Sequence, residues 1–220
     1  AWLMRWLPPA LLLVLGLWTL QPMLIPDAVN NLPKLLSDLV GLGGLLLGAL
    51  YAAVTLRLQF KRRRRLTDVN FAFWRAAMLA LLALAVSWLT MLLVPALGEM
   101  PRALLWLGVL AFVGVFMPAI NGMLYKIVPF LNWLHLQQMS GLKALPPNIK
   151  QMIPEARMLT QFLLHFSALV LLLATLIWPL LARPAGTVLA ASCLWLEWNL
   201  IGAVRLYTNF KKTRGQSACP

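Results

Sequence analysis

The chain has 220 residues, of which 61% are hydrophobic and only 11% charged, with a mean hydropathy of +0.80. A soluble fold of this size lacks the polar surface to cover so apolar a chain, which excludes a water-solvated globule and leaves a bilayer as the solvent. The formal charge of +13 raises nucleic acid as a partner, but the run Lys61-Arg-Arg-Arg-Arg65 lies between two apolar stretches, where a basic loop fixes topology and holds anionic lipid headgroups; no nucleic acid is expected.

In lipid every backbone N–H and C=O must be paired internally, so apolar runs of about 20 residues form helices. The expected fold is an all-α polytopic transmembrane helix bundle. Six spans follow from apolar runs bounded by charges and prolines, at about 7–25, 36–58, 70–94, 103–126, 157–181 and 186–206, in a single transmembrane domain over 1–220. The first residue is Ala1 rather than Met, so an initiator, a leader or a longer upstream region is expected ahead of it. With six spans, all but three of the 19 Lys and Arg fall on one side, leaving Lys34, Arg102 and Arg183 on the other. One helix more or fewer would scatter them, so the asymmetry supports the count and puts both termini in the cytoplasm.

Along the second span, Gly44, Gly48 and Ala52 recur every fourth residue, a face of small side chains that lets another backbone approach. It serves either an internal helix pair, the default, or a partner subunit or second copy. The third span opens with Asn70-Phe-Ala-Phe-Trp74-Arg75, an aromatic and basic marker of the headgroup level, and Trp2, Trp6, Trp106, Trp133 and Trp178 sit at other span ends. Cys193 within the last span and Cys219 in the tail lie too far apart in depth for a disulfide, and no metal motif is built from them.

In the fourth span Asn121, Tyr125, Asn132 and His135 fall on one face if the helix continues past Lys126, a cation placed to snorkel or to hold an anionic group. Pro129 leaves two geometries open, a kinked long helix or a break near Lys126 that lays 127–136 along the interface. The cytoplasmic loop 136–155 is interrupted by prolines but carries Leu145, Ile149, Met152 and Ile153 for contact with the membrane surface. In the fifth span Gln161 stands one turn before His165, and in the sixth Glu197 lies near the middle. A short turn at 183–186 makes these two spans antiparallel, and a rise of about 1.5 Å per residue puts His165 and Glu197 within about 5 Å of one depth. They form either a proton-accepting pair, an imidazole ligand with its acceptor, or a structural hydrogen bond.

The run Gly122-Met-Leu-Tyr-Lys-Ile-Val-Pro-Phe-Leu-Asn-Trp-Leu-His-Leu-Gln137 with Pro147-Asn-Ile-Lys-Gln151 resembles a segment of uncharacterised bacterial inner-membrane proteins related to heme-copper oxidase subunit I and to the heme-containing NnrS-type proteins. The resemblance covers about 30 residues around 121–151. It implies a bacterial inner membrane and a b-type heme on transmembrane histidines, with His165 and His135 the only residues able to carry that role. An oxidase core needs about six histidines for two hemes and a copper. With two histidines in all, a complete oxidase core is excluded for this chain alone.

Three functions follow: a redox-linked protein holding one heme b through His165, with His135 as second ligand or free; a permease or proton-coupled transporter with a polar cluster of Asn121, Tyr125, Lys126, Gln161, His165 and Glu197; or a noncatalytic accessory subunit packing through Gly44 and Gly48. No Gly-rich phosphate loop, nucleophile elbow, HExxH or paired Cys set appears.

Overall fold

A computed structural model describes residues 2–24, 32–61, 69–140 and 152–217. Among these there is no strand, and the protein is an all-α membrane protein. The helices are α1 (Trp2–Leu24), α2 (Leu32–Phe60), α3 (Val69–Leu93), the one-turn α4 (Pro95–Gly98), α5 (Ala103–Val109), α6 (Met117–Ser140), α7 (Glu155–Thr175) and α8 (Ala182–Ser217). A π-helical segment, Leu110–Phe116, joins α5 to α6 without a break, and a 3-10 turn, Pro179–Leu181, precedes α8. Five helical stretches among the described residues are long and apolar enough to cross a membrane: Ser37–Phe60, Val69–Leu93, Ala103–Gln138, Glu155–Thr175 and Pro179–Lys211. The described apolar part of α1 is the shorter Arg5–Leu17.

Two boundaries depart from the sequence expectation. The helix after Ala103 does not end at Lys126: of the two geometries left open by Pro129, the long helix forms, and it runs to Ser140. The hairpin turn lies at Leu176–Leu181 rather than at 183–186, because Pro184 and Gly186 fall within the first two turns of α8. A proline in the first turn costs nothing, since the N–H it lacks has no helical acceptor there. Of the basic run, Lys61 is exposed and 62–65 lie outside the described residues, as do residues 141–151 of the 136–155 loop and Cys219.

The contacts group the chain into two compact units. In the first, residues 1–64 and 78–107, α2 packs on α1 through the small-residue face. A Cβ on Gly44 would come within 3.1 Å of Val14, and one on Gly48 within 3.7 Å of Leu81 in α3. Ala52 is fully buried. Of the two uses open to that face, internal packing is therefore realised. Trp106 donates its indole N–H to Ser87 Oγ at 3.0 Å, tying α5 to α3 within this unit.

The second unit comprises residues 65–77 and 108–220. Its most extensive pairing is the antiparallel α7–α8 hairpin, against which α6 packs along α8. The core joins Phe73, Tyr125, Ile153, Met158 and Ala203. Phe73 meets Phe162 edge to face at 5.1 Å and Tyr125 at 5.9 Å, separations at which aromatic pairs attract. Gly122 makes this possible: a Cβ there would stand 3.2 Å from Phe73 Cβ and 3.4 Å from the Trp74 ring.

Candidate functional site

The polar groups that matter lie inside the second unit, and Pro118 organises the first of them. A proline within a helix crowds the carbonyl four residues back and offers no N–H. Upstream of Pro118 the chain loosens into π geometry, in which Met117 N–H bonds the Phe112 carbonyl five residues back. The next bond of that series would join the Val113 carbonyl to the missing N–H of Pro118. His165 supplies the donor instead, with Nε2 2.9 Å from Val113 O. A carbonyl can only accept, so Nε2 carries the proton and Nδ1 is left a bare acceptor. His165 is 3% exposed and sits at the midpoint of α7.

One turn along α7, Gln161 Nε2 donates to Ser192 Oγ of α8 at 3.2 Å. One turn further, the Arg157 carbonyl accepts from Trp195 Nε1 at 3.1 Å and lies 3.5 Å from Asn199 Nδ2. That same Nδ2 donates to the Tyr125 hydroxyl at 2.9 Å. Three helices thus contribute to one buried polar row: Asn121 and Tyr125 from α6, Gln161 and His165 from α7, Ser192 and Asn199 from α8. Asn121, Tyr125, Gln161, Ser192 and Asn199 are each at most 4% exposed.

The row is incompletely bonded. Asn121 Nδ2, Gln161 Oε1, His165 Nδ1 and Asn199 Oδ1 are buried without a hydrogen-bond partner. An unpaired buried polar group costs about 1–3 kcal/mol. Four such groups along one row, with Asn132 Nδ2 of α6 a further one in the same unit, make contact with a polar group favourable there, because the cost is relieved on contact.

The expected companions of these residues distribute differently. Glu197 is exposed and does not meet His165, whose bond goes to Val113. Two residues before Asn199, it stands about 200° away around α8, so the helix turn that buries Asn199 turns Glu197 outward. Lys126 is likewise exposed, one residue past Tyr125. His135 is exposed, with its ring 6.4 Å from that of Tyr207. It lies 22 residues beyond Val113 on an unbroken helix. A rise of about 1.5 Å per residue separates the two histidines by about 30 Å, far more than one heme can bridge. Among the described residues no three His, Cys, Asp or Glu side chains gather as a metal site.

Sequence reasoning named Asn121, Tyr125, Gln161 and His165, which converge, and passed over Ser192 and Asn199. Their signal was present: Ser192 and Asn199 are seven residues apart, the spacing of one helix face, opposite a second helix with Gln161 and His165 at four. The carbonyls of Val113 and Arg157 have no signature beyond Pro118 itself.

Comparison with protein-family models, with curated proteins and with solved structures found no match to this chain.

Proposed function

We infer that the chain is a multi-pass permease of the bacterial cytoplasmic membrane, with a solute path along the row formed by Asn199, Tyr125, Gln161, Ser192, Asn121 and His165. The observation that carries this is the set of four buried, unpaired polar atoms on three neighbouring helices of membrane-spanning length. Such groups are retained in a bilayer where they line a route or a site. The row runs from the midpoint of α7 toward the end of the unit that bears Arg157, Arg205 and Lys211, which the charge asymmetry assigns to the cytoplasm. Glu197 is left off the path because it is exposed. The test is flux in proteoliposomes across a panel of protons, potassium, chloride and small neutral solutes. Asn199→Leu is expected to abolish the flux that Glu197→Gln leaves intact, and a wild type with no flux that the row variants reduce refutes the reading.

A second reading, one b-type heme held by His165, is favoured by the bare Nδ1 lone pair. A bis-histidine site with His135 does not fit a separation of about 30 Å along α6. Oxidised and reduced spectra of protein expressed with heme precursor test it: a Soret band abolished by His165→Ala supports the heme, and a flat spectrum removes it. The accessory-subunit reading drew on Gly44 and Gly48, whose neighbours are Val14 and Leu81 of this same chain.

A further inference from the structure

The buried row does not run on to the cytoplasmic end of its helices. Past the Asn199–Tyr125 pair, α6 and α8 advance together toward that end, as the meeting of the His135 and Tyr207 rings shows. The inward groups that follow are apolar: Val128 on α6, Leu200 and Ala203 on α8. With Phe73 and Ile153 they pack round Tyr125, and Phe73, Ile153 and Ala203 are each at most 3% exposed. Polarity resumes at Asn132, whose Nδ2 is buried without a partner. Asn132 lies seven residues past Tyr125 on the same face of α6, about 10 Å along the axis. An apolar collar thus separates two polar stretches, and a constriction of this kind stops water and solutes by dewetting.

One member of the collar is held differently from the rest. Phe73, Val128, Leu200 and Ala203 lie within α3, α6 and α8, so none of them can leave unless a helix shifts or unwinds. Ile153 lies in the bend before α7, followed by Pro154 in extended conformation at φ −62° and ψ 138°. It stands four residues ahead of Arg157, whose carbonyl meets Asn199, and α7 runs antiparallel to α8, so Ile153 is on the cytoplasmic side of the row. No helix has to unwind for its side chain to withdraw. We propose that Ile153 is a removable stopper that closes the cytoplasmic end of the polar row, and that the conformation described is the shut one. This rests on the permease reading and adds the regulation of its path.

The experiment reads access to the row and needs no known solute. In the full chain carrying Cys193→Ser and Cys219→Ser, Ser192→Cys places one thiol behind the collar, at a fully buried position beside Gln161. Inside-out vesicles are exposed to silver ion, a thiol reagent small enough to follow water, and the thiol left unblocked is counted with a maleimide after denaturation. The blocking rate is expected to rise at least about tenfold in Ile153→Ala, which removes most of the stopper. Ile153→Val trims it by one carbon and covers the case in which the alanine variant fails to fold; its rate should lie between the two. Leu169→Ala truncates another buried side chain of α7 and should leave the rate unchanged. An equal rise in Leu169→Ala, or no rise in either Ile153 variant, overturns the stopper. Flux in proteoliposomes separates the two readings. Row-dependent flux with an unmoved blocking rate leaves a permease without this stopper, whereas a raised rate with no flux that Asn199→Leu reduces leaves a stoppered row and removes the permease.

Discussion

Replacing His165 with leucine removes the donor that serves the Val113 carbonyl in place of the N–H missing at Pro118, while the Met117 N–H is engaged by Phe112. A buried carbonyl left unpaired costs about 1–3 kcal/mol, and the loss is expected in that range. The dependence on Pro118 makes the claim sharper than a single deletion. In Pro118→Ala the backbone regains an N–H at position 118, so the Val113 carbonyl has a helical donor and His165→Leu should then cost little. Pro118 is itself fully buried, and its own replacement carries a packing penalty, which a double-mutant cycle subtracts. The expected coupling is about 1 kcal/mol or more between two residues that are 47 positions apart in sequence. Reversible unfolding of the four proteins in mixed detergent micelles measures it. Additive effects within about 0.3 kcal/mol would refute the assignment of the imidazole to the carbonyl that Pro118 frees.

Gly122→Leu should destabilise the second unit by about 1–3 kcal/mol or displace Phe73 and Trp74, read as a shift in tryptophan emission and a lower unfolding midpoint. Ser87→Ala leaves the Trp106 indole N–H without its acceptor and is expected to cost about 1 kcal/mol in the same unfolding assay. Glu197→Gln, altering an exposed carboxylate, should change stability by no more than about 0.5 kcal/mol and leave any flux unaltered. A larger effect would mean that Glu197 has a partner.

Fold class was legible because composition and bilayer physics admit few answers, and the apolar runs at 36–58, 70–94 and 157–181 correspond to α2, α3 and α7 with shifts of a few residues. The prolines were harder to read. Pro129 left a long helix and a break both open, and the long helix forms, whereas Pro184 lies in the first turn of α8 and not in the turn between helices. The site was half legible. Glu197 was expected in the cluster from its depth in the span, but the helix turn decides its face, and a two-residue offset from Asn199 assigns it outward. Ser192 and Asn199, uncharged and on the same helix, were passed over. The role of His165 depended on a backbone carbonyl, which has no letter in the sequence.

The longest helix of the second unit exceeds the hydrocarbon thickness of a membrane. At about 1.5 Å per residue, the 36 residues of α8 extend about 54 Å, against about 30 Å of hydrocarbon. Even a tilt of about 40°, the upper end of what transmembrane helices adopt, leaves about 41 Å of projected height. The excess falls beyond Arg205, and the helix that carries His135 reaches the same region, where the two rings of His135 and Tyr207 face each other. The last turns of α8, with Lys211, therefore extend past the hydrocarbon into the headgroup layer. The turns at that headgroup level thus belong to the same continuous helix that carries Ser192 and Asn199 in the buried row.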